Sequence, residues 1–225
     1  MKFEKYQHIE KLGTATTKGI LNGTVHILPK LDGTNTSVYL NDNGEVEVAS
    51  RNRVLTFEHD NVGDYKYVMS QNKFKDYLSK FPRHRLFGEW LVPHTIKNYV
   101  DSAWRKLYIF DVIDEDVYGN ESYLTYDEYS PLLERFGIEY VLRLCFHSYP
   151  TDEDISKLQN ECTFLMQVGK FDEGIVIKNY EFVNKFGNIV WAKIVRPAFK
   201  TTIKILGRHL IHLYHRRNVQ YPAQV

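Results

Sequence analysis

Residues 30–35 read Lys30-Leu31-Asp32-Gly33-Thr34-Asn35, between a predicted strand at 24–28 and a second at 36–40. A lysine at the end of a strand can be desolvated and held near other cations, conditions that free its amine to act as a nucleophile. A glycine next to it lets the backbone turn tightly beside a ligand. The alternative interpretation is a loop with a solvated lysine. The segment alone therefore suggests a covalent site without establishing one.

The sequence around this segment predicts a sheet-rich fold built mainly from hairpins. Apolar residues typical of strands occur at 24–28, 36–40, 45–50, 85–91, 107–113, 174–180 and 189–195. The Asn-Asp-Asn-Gly stretch at 41–44 and the Lys-Phe-Gly-Asn stretch at 185–188 have the turn chemistry that joins hairpin strands. Because hairpins predominate over strand–helix–strand units, we predict an α+β fold with largely antiparallel sheets flanked by helices.

Helices are predicted from apolar spacing and capping signals. One spans 64–80, where apolar residues recur near helical spacing. A second begins at a capping box formed by Thr125 and Glu128 and ends at Gly137. A third begins after Thr151, has an acidic first turn and ends near Gly169. A short C-terminal helix is predicted from four apolar residues that share one face: Ile203, Leu206, Leu210 and Leu213.

Five more segments follow the lysine segment in a fixed order. They are Ser50-Arg51-Asn52-Arg53, Phe87-Gly88-Glu89-Trp90, Tyr108-Ile109-Phe110-Asp111-Val112, Glu173-Gly174-Ile175-Val176-Ile177-Lys178 and Ala192-Lys193-Ile194-Val195. With these motifs, spread over residues 30 to 195, the sequence resembles the covalent nucleotidyltransferase superfamily of RNA ligases, DNA ligases and mRNA capping enzymes. The resemblance implies that superfamily's nucleotidyltransferase (ATP-grasp-like) domain. Asn35 favours the RNA ligase branch, because the other branches usually carry arginine at that position.

The resemblance implies a role for each matched position in forming a lysyl-AMP. Lys30 would attack the α-phosphorus of ATP, and Lys178 and Lys193 would complete the catalytic set by neutralising charge on the α-phosphate. Glu173 and Asp32 would hold Mg²⁺, with Mn²⁺ as a substitute. The implied ATP site consists of Lys30, Leu31, Asp32, Asn35, Arg51, Glu89, Phe110, Glu173, Lys178 and Lys193.

Some of these positions also allow a structural interpretation. Glu89 would accept hydrogen bonds from the ribose, and a carboxylate flanked by aromatic residues in an apolar strand needs a partner in any case. Phe110 would stack on adenine, although an aromatic side chain in a strand usually belongs to the core. Lys178 and Lys193 could face one pocket from neighbouring strands or could each extend along the surface.

The last motif departs from the pattern of many RNA ligases, which have two lysines separated by one residue. Lys193 occupies the first place and Val195 the second. Arg196 could supply the second cation only through a change of register, because adjacent strand residues face opposite sides of a sheet.

The charge is unevenly distributed along the chain. The formal net charge of +1 divides into +8 after Glu181 and −7 up to and including Glu181. We therefore predict that a basic C-terminal helix or tail, residues 198–225, packs on an adenylyltransferase domain of residues 1–197 and contacts a polyanion. A solvated basic face would give the same pattern. The predicted RNA-binding residues are Arg51, Arg53, Arg196, Lys200, Lys204 and Arg208.

The sequence thus predicts an ATP-dependent RNA ligase that joins a 5′-phosphate RNA end to a 3′-hydroxyl through a lysyl-AMP intermediate. A DNA ligase, a GTP-dependent capping enzyme and a non-catalytic RNA-binding protein of the same fold are the alternatives. The cofactors expected are ATP and Mg²⁺, the partner is RNA, and a monomer is favoured. With two cysteines and no apolar signal or membrane-spanning stretch, the protein is expected to be cytoplasmic.

Overall fold

A computed structural model describes residues 1–197, which form two sheets and four α-helices. The strands are β1 (Glu10–Lys11), β2 (Thr24–Lys30), β3 (Thr34–Leu40), β4 (Val46–Ser50), β5 (His84–Trp90), β6 (Leu107–Glu115), β7 (Glu121–Tyr123), β8 (Cys145–Ser148), β9 (Gly174–Lys178) and β10 (Ala192–Val195). The helices are α1 (Asp64–Ser70), α2 (Asn72–Lys80), α3 (Tyr126–Arg135) and α4 (Asp152–Glu161), with a short 3₁₀ turn at Asp101–Ala103.

Each sheet has five strands. The first has the order β1-β10-β9-β2-β8 and the second has the order β4-β3-β5-β6-β7. All neighbouring strands are antiparallel except β1 and β10, which run parallel. The predicted α+β fold with largely antiparallel sheets is confirmed.

Strand alternation gives the first sheet two faces with different chemistry. Ile27, Ile175 and Ile177 are fully buried in an apolar cluster with Ile155 of α4. The residues that alternate with them turn towards the second sheet. They include Leu28, Lys30, Val176, Lys178 and Lys193. The lysines of three strands therefore meet between the sheets, while isoleucines anchor the same strands on the other side.

The second sheet carries the largest core. Val38, Leu86 and Val112 are completely buried and belong to one cluster with Phe74 of α2 and Leu133 of α3. Burial of such side chains contributes about 1.5 to 3 kcal/mol each. This core fixes the sheet that faces the lysines.

A buried polar network links the two sheets. Asp111 of β6 accepts hydrogen bonds from Lys178 Nζ at 2.6 Å, from Trp191 Nε1 at 3.2 Å and from the Tyr6 hydroxyl. Burial raises the pKa of Asp111, and the Lys178 ammonium opposes that rise. Because all three donors converge on one carboxylate, the N-terminal segment and both sheets are held in a single arrangement.

The prediction of one helix over 64–80 is wrong in one respect, because the structure has two helices there. Gln71 is extended, with φ −109° and ψ 106°, and separates α1 from α2. Val68 and Phe74 are six residues apart, a spacing that puts them on different faces of a continuous helix. The break lets both side chains reach the core.

The remaining helix predictions have mixed outcomes. The capping box of Thr125 and Glu128 is present at the start of α3. The helix after Thr151 ends at Glu161 rather than near Gly169. It stops because Cys162 is extended and the chain then turns at Leu165, where the Leu165 carbonyl accepts the N–H of Val100 and Met166 pairs with Tyr99.

The predicted C-terminal helix, the boundary of a basic tail and the residues Lys200, Lys204 and Arg208 lie outside the described residues. Within residues 1–197, no helix combines the length and the apolar character needed to span a bilayer.

Gly33 follows the end of β2 where two backbones approach closely. A Cβ atom at this position would lie 2.4 Å from the carbonyl oxygen of Trp90, far inside van der Waals contact. The glycine therefore allows β3 to pair with β5 immediately after the lysine segment.

We expect Gly33→Ala to lower the free energy of unfolding by about 3 kcal/mol or more, because the clash is with backbone that cannot rotate away. Urea unfolding followed by circular dichroism measures this. Gly44→Ala is the control: it lies in open space at φ +77°, so only the left-handed conformation costs energy, about 1 kcal/mol. Equal losses in both variants would contradict the close approach.

Candidate active site

A cavity of about 490 Å³ opens between the two sheets. Lys30, Lys178 and Lys193 reach it from the first sheet, and Asn35, Glu89 and Phe110 reach it from the second. The six motifs are distant in sequence, but each of them except the stretch Ser50-Arg51-Asn52-Arg53 comes from a strand that borders this cavity. That stretch contributes Arg51, an exposed residue at the opening.

Lys30 forms an ion pair inside the cavity. Its Nζ lies 2.8 Å from Oε2 of Glu173, and the two side chains are 22% and 10% exposed. The register explains the contact, because Lys30 pairs with Gly174 across β2 and β9 and so lies beside the residue that precedes β9. Burial raises the pKa of Glu173, and the Lys30 ammonium opposes the rise.

The other two predicted catalytic lysines are in different environments. Lys193 is partly buried, and burial together with the charge of Lys30 lowers its pKa. Lys178 is only 2% exposed and donates to the carbonyl of Phe110 and to Asp111, both at 2.6 Å. The resemblance implied that Lys178 neutralises charge on the α-phosphate. The structure instead has an ammonium already neutralised by a carboxylate at the cavity floor, and burial lowers its pKa.

Glu89 lies opposite Asn35 across β5 and β3. Its Oε1 accepts a hydrogen bond from the backbone N–H of Gly33 at 2.9 Å. Burial raises the pKa of Glu89 to about 7, against the lowering effects of Lys30 and of that hydrogen bond. The carboxyl group is therefore a hydrogen-bonding group whose charge changes near neutral pH.

A β-bulge directs Phe110 into the cavity. Gly88 pairs with Ile109 and Phe87 with Asp111, so Phe110 is the extra residue in β6. Its ring packs edge-on against Tyr6 with centroids 5.0 Å apart and leaves part of its surface to the cavity. Leu31 also lines the cavity but is 5% exposed and belongs to the large core, so it contributes mainly packing.

The predicted metal ligand Asp32 has both carboxylate oxygens occupied by protein donors. Oδ2 accepts from the N–H of Ile96 at 2.7 Å, and Oδ1 lies 2.9 Å from Nδ1 of His94. In residues 1–197, no group of three or more His, Cys, Asp or Glu side chains could hold a metal ion. Both predicted ligands line the cavity, but Asp32 is engaged in holding the loop beyond β5, whereas the Glu173 carboxylate contacts Lys30.

The predicted RNA-binding arginines are not brought together. Arg51 borders the cavity, whereas Arg53 is exposed outside it and its carbonyl accepts from Ser50 at 2.9 Å. Arg196 is paired with Asp172 and with the carbonyl of Gln159, so its guanidinium is committed to intramolecular contacts. Val195 packs against the large core, so apolar contact replaces the second lysine of the motif.

Sequence reasoning missed two groups of cavity residues. The N-terminal segment contributes Tyr6, Gln7, His8 and Ile9, and the loop after β5 contributes His94 and Thr95. Neither segment has a periodic pattern or a motif that would single it out. For His94, the one local signal is that it follows the motif residue Glu89 closely in sequence, which would place it near the same site.

The solved structures most useful for comparison are RNA ligases. An archaeal ATP-dependent RNA ligase, form 1, has a TM-score of 0.65 at 15% identity over 89% of this chain and 56% of that one. Form 2 of an archaeal ATP-dependent RNA ligase has a TM-score of 0.63 at 14% identity over 85% of this chain and 48% of that one. An apo RNA ligase mutant of Naegleria gruberi has a TM-score of 0.66 at 22% identity over 87% of this chain and 56% of that one. The chain thus spans about half the length of these proteins. A search among curated protein sequences found no match.

A cavity between two largely antiparallel sheets, with lysines and carboxylates from adjacent strands, defines the fold as that of the nucleotidyltransferase domain of RNA ligases. The family profile described as RNA ligase matches residues 23–195, which include all six motifs. The chain belongs to the RNA ligase family.

We expect the stability of the protein to depend on the ionisation of Glu89. Because the pKa rises from 4.5 to about 7 on folding, the folded state binds this proton more tightly than the unfolded chain does. The stabilisation that comes from this tighter proton binding is fully present below the pKa of Glu89 in the unfolded chain. It is lost as the pH rises through the pKa of Glu89 in the folded protein. Between about pH 5 and pH 8, the wild type should lose about 2 kcal/mol more of its free energy of unfolding than Glu89→Gln.

Urea unfolding at the two pH values measures this difference. Glutamine keeps an acceptor for the Gly33 N–H, and the other carboxyl groups titrate in both proteins and cancel. An identical pH dependence in the two proteins would show that Glu89 is already ionised in the folded state at the lower pH.

Proposed function

We propose that this protein is an ATP-dependent RNA ligase in which Lys30 becomes covalently adenylylated. The observation that carries the proposal is the ion pair of Lys30 with Glu173 inside a cavity bordered by Lys193 and Arg51. A half-buried lysine at a strand end, in contact with a carboxylate and near further cations, suits attack on a phosphate. Membership of the RNA ligase family supports the same assignment.

The proposed reaction has three steps. First, the Lys30 amine loses its proton and attacks the α-phosphorus of ATP; the N–P bond forms and the P–O bond to pyrophosphate breaks. Next, an oxygen of the RNA 5′-phosphate attacks the same phosphorus, which releases Lys30. Finally, a 3′-hydroxyl attacks the 5′-phosphate, the phosphodiester forms and AMP leaves. Lys193 would stabilise the charge that develops on the α-phosphate oxygens in the first step, and Arg51 would do so at the RNA end in the sealing step.

The nucleotide would lie with its base in the apolar part of the cavity. Phe110 and Val176 offer surfaces for adenine, and Glu89 offers a carboxyl group for the ribose. Glu173 would hold Mg²⁺, since this ion takes few protein carboxylates and binds mostly phosphate and water; bound there, it would neutralise phosphate charge. A Naegleria gruberi RNA ligase mutant with ATP and Mn has the same fold, with a TM-score of 0.65 at 20% identity.

RNA with 5′-phosphate and 3′-hydroxyl ends is the substrate that we propose. Asn35, which borders the cavity opposite Glu89, supports the RNA branch over DNA ligases and capping enzymes. Incubation with ATP or GTP labelled at the α-phosphate tests the nucleotide, and nicked RNA and DNA test the polynucleotide.

We expect Lys30→Arg and Lys30→Ala to be equally devoid of covalent label, because a guanidinium stays protonated and cannot attack phosphorus. Gel analysis after incubation with labelled ATP and Mg²⁺ measures the adduct, and peptide mapping should place it on Lys30. Lys185→Arg, a lysine that does not line the cavity, is the control and should label normally. Label in either Lys30 variant would contradict the proposal.

The cavity residues should separate by reaction step. We expect Glu173→Ala to reduce self-adenylylation roughly 100-fold or more, because the variant loses both the partner of Lys30 and the proposed metal ligand. Arg51→Ala should still form lysyl-AMP and fail in sealing, because Arg51 stands at the opening where RNA would enter. Sealing of pre-adenylylated RNA isolates the last step. Normal labelling of Glu173→Ala would show that Glu173 has neither role.

A further inference from the structure

The edge of the cavity carries a histidine, His94, that lies outside the six motifs. Its Nδ1 is 2.9 Å from Oδ1 of Asp32 and 3.2 Å from Oγ1 of Thr95. The imidazole is 55% exposed, whereas the Asp32 side chain is 6% exposed. Asp32 is itself fixed by the N–H of Ile96. A buried, immobilised carboxylate therefore holds a half-exposed ring at the cavity.

The contact determines which ring nitrogen can serve a ligand. A carboxylate can only accept hydrogen bonds, so the single proton of the neutral imidazole lies on Nδ1 and points to Asp32. Nε2 is then an acceptor. Across residues 1–197 no protein group donates a hydrogen bond to Nε2. A fixed acceptor without a protein donor, on a ring that lines the cavity, is suited to a donor on the ligand.

The ligands of the proposed function offer few donors. Phosphate oxygens only accept, so the remaining donors are ribose hydroxyls and the amino groups of bases. The adenine base is expected at the apolar part of the cavity, near Phe110 and Val176. His94, by contrast, contacts Asp32, two residues from the proposed nucleophile Lys30, so a sugar hydroxyl is the donor that we expect to meet it.

We propose that His94 recognises ribose: Nε2 accepts a hydrogen bond from a ribose hydroxyl, and Asp32 is the positioning residue that orients the ring. The inference rests on the proposed function and adds a specificity-determining contact to it. The hydroxyl comes either from the ribose of ATP or from the terminal ribose of the RNA strand that supplies the 3′-hydroxyl. Recognition of a 2′-hydroxyl would distinguish RNA from DNA at this point.

Two substitutions separate the ring nitrogens. His94→Asn keeps an N–H donor near the position of Nδ1 for Asp32 but has no atom at Nε2. His94→Gln places an amide near Nε2 and loses the contact with Asp32. His147→Asn is the matched control, because Nδ1 of His147 is also held, 3.0 Å from the carbonyl of Ser148, and His147 does not line the cavity.

The test compares hydroxyl-bearing and deoxy substrates. The first arm measures equilibrium binding of ATP, 2′-dATP and 3′-dATP, which needs no turnover. The second measures sealing of pre-adenylylated RNA to acceptor strands that end in ribose or in 2′-deoxyribose. We expect the wild type to prefer the hydroxyl roughly tenfold in one arm, and this arm identifies the source of the ribose. His94→Asn should weaken that preference several-fold, leaving in the ATP arm only what Glu89 contributes, whereas His94→Gln should keep most of it and His147→Asn should match the wild type.

The remaining outcomes decide between the two proposals. The same preference in the wild type and in His94→Asn, in both arms, would overturn the ribose contact and leave His94 only the task of holding Asp32. Binding of ATP with the expected preference but without lysyl-AMP would contradict the proposed function alone. Absence of both ATP binding and sealing in the wild type would overturn both. Thermal unfolding of each variant checks that the fold is intact.

Discussion

Lys178 and Asp111 face each other from different sheets with almost no access to water, 2% and 0% exposed. Removing either partner would leave an unpaired buried charge, a change that typically costs about 3 to 5 kcal/mol. The carboxylate also accepts from Tyr6 and Trp191, so one buried group connects both sheets and the N-terminal segment. The width of the cavity, and with it the separation of Lys30 from Glu89 and Phe110, depends on this connection.

Much of the fold could be predicted because it is encoded locally. The Asn-Asp-Asn-Gly turn at 41–44 and the capping box at Thr125 each specify a backbone geometry within a few residues. The predictions failed where distant contacts override local preference. Gln71 interrupts a helical pattern because Val68 and Phe74 need the same core, and α4 stops early because Met166 pairs with Tyr99.

The candidate site shows the same division. Motifs indicated which residues would come together, since strand alternation alone puts Lys178 and Lys193 on the face that carries Lys30. Motifs did not indicate their partners. These partners are set by tertiary contacts between segments far apart in sequence, which pair Lys178 with Asp111, Asp32 with His94 and Arg196 with Asp172. The bulge that aims Phe110 likewise depends on how β5 and β6 pair.

The parallel pairing of β1 with β10 places the start of the described chain beside its last strand. Tyr6 to Ile9 form part of the cavity wall, and Lys193 forms another part. On the ribosome, Lys30 emerges early, but Glu173 and Lys193 are among the last of these residues to be synthesised. The contact of Lys30 with Glu173 can therefore form only after the 143 positions that separate them have been synthesised. The surroundings of Lys30 are thus completed late and together, and a chain released before β9 would lack them.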